Sequence, residues 1–236
     1  MKKARWLPWL LGALMATLLL CAVFCLLDVR YMGNDDTFIN KSFLGQFTGR
    51  APSFHLFLHT LLTWGLMALS NAAPGIAWFS VVQLALLWLA VTVLVKSLCQ
   101  CAVKHGRPMG VGLLAGCLLA ALIGLQFCIR ISFTTTAALL CAAAVAQILS
   151  VDYERAGDAA IVRGLMLSLA LLALGYSLRQ DAALPGLAFC GVALAYEAWA
   201  RFGLGKARKL KPLVVSVVAV AAVFAVLVGA RALQIR

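Results

Sequence analysis

The side chains able to do chemistry are few, and two carboxylates stand out among them. Asp35 and Asp36 are adjacent in a chain that has only eight acidic residues. A carboxylate that loses part of its hydration has a raised pKa and can act as a general base. Alternatively, Asn34 or Asp35 caps a short helix and the other carboxylate lies in its first turn. Both interpretations stay open, because a capping position also fixes a carboxylate in place.

Two arginines and a threonine suggest a site for an anion. Arg130 and Arg179 each follow an apolar run, and a guanidinium binds phosphate oxygens through paired hydrogen bonds. A single arginine at the end of a membrane helix can instead extend toward lipid headgroups. Thr134 opens the next apolar run, where free backbone N–H groups favour anions, although an N-cap role explains this threonine as well. The pattern predicts a phosphate site that includes Arg130, Arg179 and Thr134.

The spacing of His55 and His59 is that of two histidines on one helix face. A zinc peptidase motif would need glutamate at position 56, where this sequence has Leu56. Because no third ligand is evident, we predict polar contacts to a substrate or to headgroups for both histidines, and no metal site. No cofactor is indicated, and dependence on a divalent metal stays open.

The composition excludes a soluble fold. Of the 236 residues, 64% are hydrophobic and 12% are charged, and the mean hydropathy is +1.00. A soluble domain cannot bury that much apolar surface. The net charge of +12 is typical of lysines and arginines retained in the cytoplasm, so it does not indicate a nucleic-acid partner.

Eight apolar runs are candidates for membrane spans. If all eight cross, most lysines and arginines face outward, which contradicts the positive-inside rule. If the second run stays on the outer side, thirteen of the 20 lysines and arginines lie inside and seven lie outside. The charge distribution therefore favours seven spans with a cytoplasmic N-terminus. The runs are 6–27, 54–71, 76–98, 111–129, 134–150, 161–178, 182–200 and 213–231.

The predicted fold is an all-α polytopic membrane bundle that forms a single domain over residues 1–236. About seven transmembrane helices are expected, with an outer loop at 28–75. Two interfacial helices are predicted in that loop. The first covers 36–47 and has an apolar face of Ile39, Phe43 and Phe47. The second covers 54–71, where histidine, threonine and serine at helical spacing form a polar stripe suited to the headgroup layer.

This arrangement resembles the conserved membrane module of the GT-C glycosyltransferases, in particular protein O-mannosyltransferases and aminoarabinose transferases. Their first outer loop opens with an acidic pair, and Asn34-Asp35-Asp36 is similar. A proline-containing segment before an apolar helix is matched by 48–56, and a basic residue followed by proline is matched by 177–185. Two features depart from the pattern: the second acid is Asp36 rather than glutamate, and no additional acidic motif is present. The C-terminal part of a full-length GT-C enzyme is expected to be absent.

The resemblance implies transfer of a sugar from a polyprenyl-phosphate donor to an acceptor on the outer face of a bacterial plasma membrane. Asp35 would be the general base, with Asp36 as the close alternative, while Arg130 and Arg179 would bind the phosphate. The expected partners are the lipid-linked donor and membrane lipids. A component of a lipid-linked-saccharide transporter or flippase is one alternative, although charged or polar residues deep in the spans are few. A non-catalytic membrane scaffold is another.

Overall fold

A computed structural model describes residues 6–202 together with 214, 218, 221–226 and 229. Within this part the protein is helical, apart from two strands of two residues each. The elements in chain order are α1 (Leu7–Leu26), β1 (Arg30–Tyr31), α2 (Asn34–Phe43), α3 (Thr60–Ala72), α4 (Trp78–Lys104), α5 (Met109–Leu119), a π-helical turn (Ala120–Gly124), α6 (Leu125–Ile129), β2 (Arg130–Ile131), α7 (Phe133–Ser150), α8 (Asp158–Leu178) and α9 (Gln180–Phe202).

Six helical segments of the described chain are long and apolar enough to cross a membrane. They are Leu7–Leu26, Trp78–Lys104, Met109–Ile129, Phe133–Ser150, Asp158–Leu178 and Gln180–Trp199. The third combines α5, the π-helical turn and α6. An all-α polytopic bundle is therefore confirmed. The seventh predicted span, 213–231, lies largely outside the described residues.

The core of the bundle is built around α4 and α7. The helix α4 packs against α1, α5 and α7, and α7 also packs against α8 and α9. Glycine permits close approaches between helix backbones: a Cβ at Gly12 would lie 2.4 Å from the carbonyl oxygen of Thr92, and one at Gly112 would lie 2.4 Å from that of Leu98. Small residues at helix contacts are typical of membrane bundles, because attraction there depends on close packing.

The parallel strands β1 and β2 establish which loops share an end of the bundle. Arg30 pairs with Arg130 and Tyr31 with Ile131, so the chain reaches the same end after α1 and after α6. An even number of crossings must separate the two strands. The helix α4 and the α5–α6 segment supply two, so α3 does not cross. Its 13 residues would span only about 20 Å, against roughly 30 Å of hydrocarbon.

We call this the loop end of the bundle, because it carries residues 27–77, β2 and the turn between α8 and α9. The prediction of two non-crossing helices in the first loop is confirmed, but their details differ. The helix α2 ends at Phe43 rather than 47, and the chain then turns through Gly45 and Gly49, which adopt positive φ of 73° and 74°. Ile39 and Phe43 are buried as expected, whereas Phe47 is exposed.

The two sides of α3 differ in polarity. Its polar side faces the protein: Thr60, Thr63 and Ser70 are buried. Its exposed side carries large apolar residues, among them Leu61 and Trp64. The polar stripe therefore lies against the protein, where Thr63 Oγ1 donates to the carbonyl oxygen of His59 and Ser70 Oγ has no hydrogen-bond partner in the described part of the chain.

Candidate functional site at the loop end

Asp36 is buried and holds three helices together. Only 2% of its surface is exposed. Its Oδ1 accepts a hydrogen bond from the backbone N–H of Phe133 at 2.8 Å and a longer one from Gln83 Nε2 at 3.4 Å. Phe133 is the first residue of α7, so Asp36 satisfies a free N–H at the start of another helix. The carboxylate thus links α2 to α4 and α7.

Neither Asn34 nor Asp35 caps α2. The N-cap position is Gly33, and Asn34 is already the first helical residue. Asp35 lies in the first turn and is exposed, where a negative charge favours the positive end of the helix dipole. The two adjacent carboxylates therefore differ in exposure to solvent: Asp35 is accessible, whereas Asp36 is buried.

Burial raises the pKa of Asp36 above its ordinary value, because the charged form loses hydration. Hydrogen bonds from the Phe133 N–H, Gln83 and Ser132 act in the opposite direction by stabilising the carboxylate, and the nearby charge of Asp35 raises the pKa a little further. A raised pKa suits a general base, but both donors to Oδ1 must be displaced before that oxygen can accept a proton from a substrate.

Arg179 lies next to this group. It is half-buried at the turn between α8 and α9, and its guanidinium carbon lies 5.0 Å from the ring centre of Phe133 and 5.9 Å from that of Phe57. Contacts of this kind are favourable because the ring face is negative. Within the described part of the chain it forms no ion pair, not even with Asp181 two residues later. Its charge therefore remains available to an anion.

The two histidines lie before α3, not on one helix face. His59 is the N-cap of α3, and its Nδ1 accepts the N–H of Leu61 at 3.3 Å. Its own backbone N–H donates to the carbonyl oxygen of Ser177 at 2.9 Å, which ties the loop to α8. The shared helix face predicted from i, i+4 spacing was wrong, because the helix begins only at Thr60.

His55 is enclosed by aromatic rings. It is 6% exposed, and its ring lies about 6 Å from those of Phe38, Phe43 and Phe57. Burial lowers the pKa of His55, so the neutral form is favoured. Nδ1 accepts the N–H of Phe57 at 3.4 Å, which assigns the proton to Nε2. That Nε2 has no hydrogen-bond partner in the part of the chain that is described.

Thr134 does not cap α7. The cap is Ser132, whose Oγ accepts the N–H of Thr134 at 3.2 Å. Asp36 takes the N–H of Phe133, so two of the first amide groups of α7 already have acceptors. The free-amide anion site expected at Thr134 is therefore largely occupied by the protein's own groups.

Arg130 belongs to a different part of the loop end. It is exposed on β2, in register with Arg30 of β1. Within the described residues no hydrogen bond, ion pair or ring contact joins it to Asp35, Asp36 or Arg179. The structure thus connects Asp36 with Arg179 through Phe133, and leaves Arg130 beside a second arginine.

A separate polar cluster lies near the opposite end of the bundle. Lys96 is 3% exposed, donates to Gln147 Oε1 and lies over the ring of Trp9 at 5.1 Å. Lys104 donates to Glu197 Oε1 at 2.9 Å. Among residues 6–202, no group of three or more histidine, cysteine or acidic side chains could hold a metal ion.

Sequence reasoning missed several residues of these sites. Gln83, Ser132, Phe57, Phe133 and Arg30 were not selected. Ser132 carries a recognisable signal, because serine directly before an apolar helical run is a favoured N-cap. The others depend on contacts between segments distant in sequence.

Comparisons with known proteins found no matching family model, no matching curated protein and no matching solved structure.

Proposed function

We propose that this chain is a membrane glycosyltransferase that moves a sugar from a polyprenyl-phosphate donor to an acceptor hydroxyl at the outer face of a bacterial plasma membrane. The observation that carries the proposal is the combination, at one end of the bundle, of an accessible carboxylate and a half-buried guanidinium that has no ion-pair partner among the described residues. These groups are Asp35 and Arg179. The charge distribution predicted for seven spans, in which thirteen of 20 lysines and arginines fall on the other side, supports an outward-facing loop end.

The chemistry requires two groups of opposite charge. The acceptor oxygen forms a bond to the anomeric carbon, and the bond from that carbon to the phosphate oxygen breaks. Asp35 takes the proton of the acceptor hydroxyl, and Arg179 stabilises the negative charge on the departing lipid phosphate. The buried Asp36 positions α2, and hence Asp35, against α4 and α7.

An apolar cavity offers room for part of the lipid chain. Its volume is about 430 Å³, and it lies between α7, α8, α9 and the described residues of 221–226. Leu172 and Leu187 are among its lining residues, with Ser168 as a polar member. A hydrocarbon chain in this cavity would contact apolar side chains.

The test is sugar transfer by the purified full chain in proteoliposomes, supplied with a panel of polyprenyl-phosphate sugars and hydroxyl acceptors. Asp35→Asn should reduce transfer by about 10²-fold or more, because a positioned general base contributes 10²–10⁴-fold. Asp158→Asn is the matched control, since Asp158 is likewise exposed in the first turn of a helix, α8, at the opposite end. Full transfer by Asp35→Asn would contradict the assignment.

Transport of a lipid-linked saccharide is the second candidate, and Lys96 favours it. A buried ionisable residue inside a span is a functional candidate by default, and this lysine weakens the argument that the spans lack charge. However, its partners Trp9 and Gln147 each lie within about one turn of a helix end, so the cluster lies toward one end of the bundle. A labelled donor that crosses the bilayer only when Lys96 is intact, without any sugar transfer, would favour this candidate.

A further inference from the structure

We infer that Arg30 and Arg130, which we call the arginine pair, form a binding site for the phosphate group of a lipid at the loop end of the bundle. The inference rests on the proposed function in one respect only, namely that the bound lipid would serve as the sugar donor. Phosphate binding itself follows from the geometry of the two strands and is tested apart from transfer.

The backbone holds the two arginines side by side. They are direct partners in the parallel ladder, and neighbouring strands lie about 4.8 Å apart. Successive residues of a strand point to opposite faces, and the burial follows this rule: both arginines are exposed, Tyr31 is half-buried and Ile131 is buried. The two guanidinium groups therefore extend from the same face.

Hydrogen bonds anchor the strands of the arginine pair to α4 and α2. The N–H of Met32 donates to the carbonyl oxygen of Ile131 at 2.9 Å, which extends the ladder. The hydroxyl of Tyr31 shares a hydrogen bond with Ser80 of α4, and Ser80 donates to Asn40 of α2 at 3.3 Å. Because the backbone is anchored to helices in this way, binding of a ligand needs to order only the arginine side chains.

Two like charges directly opposite each other repel, and one carboxylate offsets them only in part. Asp28 Oδ2 accepts hydrogen bonds from both Nε (at 2.7 Å) and Nη2 of Arg30, while Arg130 has no ion-pair partner in the described part of the chain. The three groups carry a net charge of about +1. A phosphate that bridges both guanidinium groups would relieve the repulsion, because it could use the paired donors of Arg130 and the donors that Asp28 leaves free on Arg30.

The surroundings of the pair favour a phosphate that is attached to a lipid. The strand β1 begins four residues after α1 ends, and Leu26, Leu27 and Met32 expose 78%, 42% and 61% of their surfaces. Apolar side chains exposed beside arginines at the end of a span are typical of headgroup depth. A soluble phosphate would gain nothing from these apolar neighbours, whereas the first carbons of a lipid chain would contact them.

The test is equilibrium binding of radiolabelled dioctanoyl phosphatidic acid to the full chain in a neutral detergent, with inorganic phosphate in a parallel arm. Arg30→Gln and Arg130→Gln should each weaken lipid binding about tenfold, as expected for loss of a charge-assisted contact. Arg130→Lys should retain part of the affinity, since it keeps the charge without the paired donors. Arg155→Gln is the control, because Arg155 is an exposed arginine at the opposite end.

Several outcomes would overturn the inference. Affinities of both glutamine variants within twofold of the original protein would exclude the pair as the site. Equal affinity for inorganic phosphate would exclude a lipid ligand. Because both arginines are exposed, each variant should keep the thermal unfolding temperature of the original protein, and a large drop would identify a structural role instead. Asp35→Asn should bind the lipid normally even where sugar transfer is lost, which separates this inference from the proposed function.

Discussion

The role of Asp36 can be tested by replacing it with alanine and with asparagine. Asp36→Ala removes the acceptor of the Phe133 N–H, whose 2.8 Å distance lies within the best range for N–H···O bonds. The Gln83 bond, at 3.4 Å, lies beyond that range and should contribute little. Leaving a buried donor unsatisfied costs about 1–3 kcal/mol, so we expect a loss of about 2 kcal/mol in the free energy of unfolding.

Asp36→Asn should be much milder at neutral pH. The amide oxygen of asparagine can still accept the Phe133 N–H, and the substitution removes a buried charge. We expect a loss below about 1 kcal/mol. In a chain of this size 1 kcal/mol shifts the unfolding temperature by about 2–4 °C, so the two variants should differ measurably in a thermal unfolding experiment in detergent.

The dependence of stability on pH is an independent test of the raised pKa of Asp36. Since the pKa of Asp36 in the folded protein lies above its ordinary value of 3.8, the folded state binds a proton more readily than the unfolded state. As the pH falls through the raised pKa toward 3.8, this carboxyl therefore contributes more to stability. The difference in unfolding temperature between the original protein and Asp36→Asn should shift in favour of the original protein.

Asp35→Asn is the control for stability, because Asp35 is exposed in the same helix turn; surface substitutions usually change stability by less than about 0.5 kcal/mol. The reasoning would be refuted if Asp36→Ala unfolded at the same temperature as the original protein, or if Asp35→Asn lowered that temperature as much as Asp36→Ala does.

Three further predictions concern the bundle. Gly112→Ala should lower the unfolding temperature by several degrees, because its Cβ would overlap the backbone of α4. Gly110→Ala is the control in the same helix and should have no such effect, because a Cβ there meets open space. Equal effects of the two substitutions would contradict the close packing of α5 on α4. Glu197→Gln should cost about 1–3 kcal/mol of unfolding free energy, since it leaves the largely buried Lys104 without its charge partner; this is measured by thermal unfolding, and no change would exclude a stabilising pair. Reporter fusions after Phe43 and after Ala73, which lie on either side of α3, should report the same compartment, and opposite compartments would mean that α3 crosses.

The membrane character of the fold could be read directly from the sequence. Long apolar runs follow from the thickness of the bilayer, so the helices from α4 to α9 lie close to their predicted ranges. Even the failure of α3 to cross was indicated by the distribution of lysines and arginines. The order of residues along the chain is enough to predict these features, because each span satisfies its own backbone hydrogen bonds.

The candidate site could be predicted only in part. Asp35, Asp36 and Arg179 were selected by residue type and position, but the difference between the two carboxylates was not foreseen. It depends on Phe133 and Gln83, which lie 97 and 47 residues away along the chain. The arginine pair was missed for the same reason, because a two-residue parallel bridge leaves no periodic pattern in the sequence.

The contact between Asp36 and Phe133 also has a consequence for biogenesis. Ribosomes add about 5–20 residues per second, so about 5 to 20 s pass between synthesis of the carboxylate and synthesis of its amide partner. During that interval α2 cannot dock on α7, and a charged group must remain hydrated or neutralised by a proton. The first loop therefore reaches its final form only after the later helices have entered the bilayer, and a nascent chain arrested before Phe133 should leave this loop open to protease.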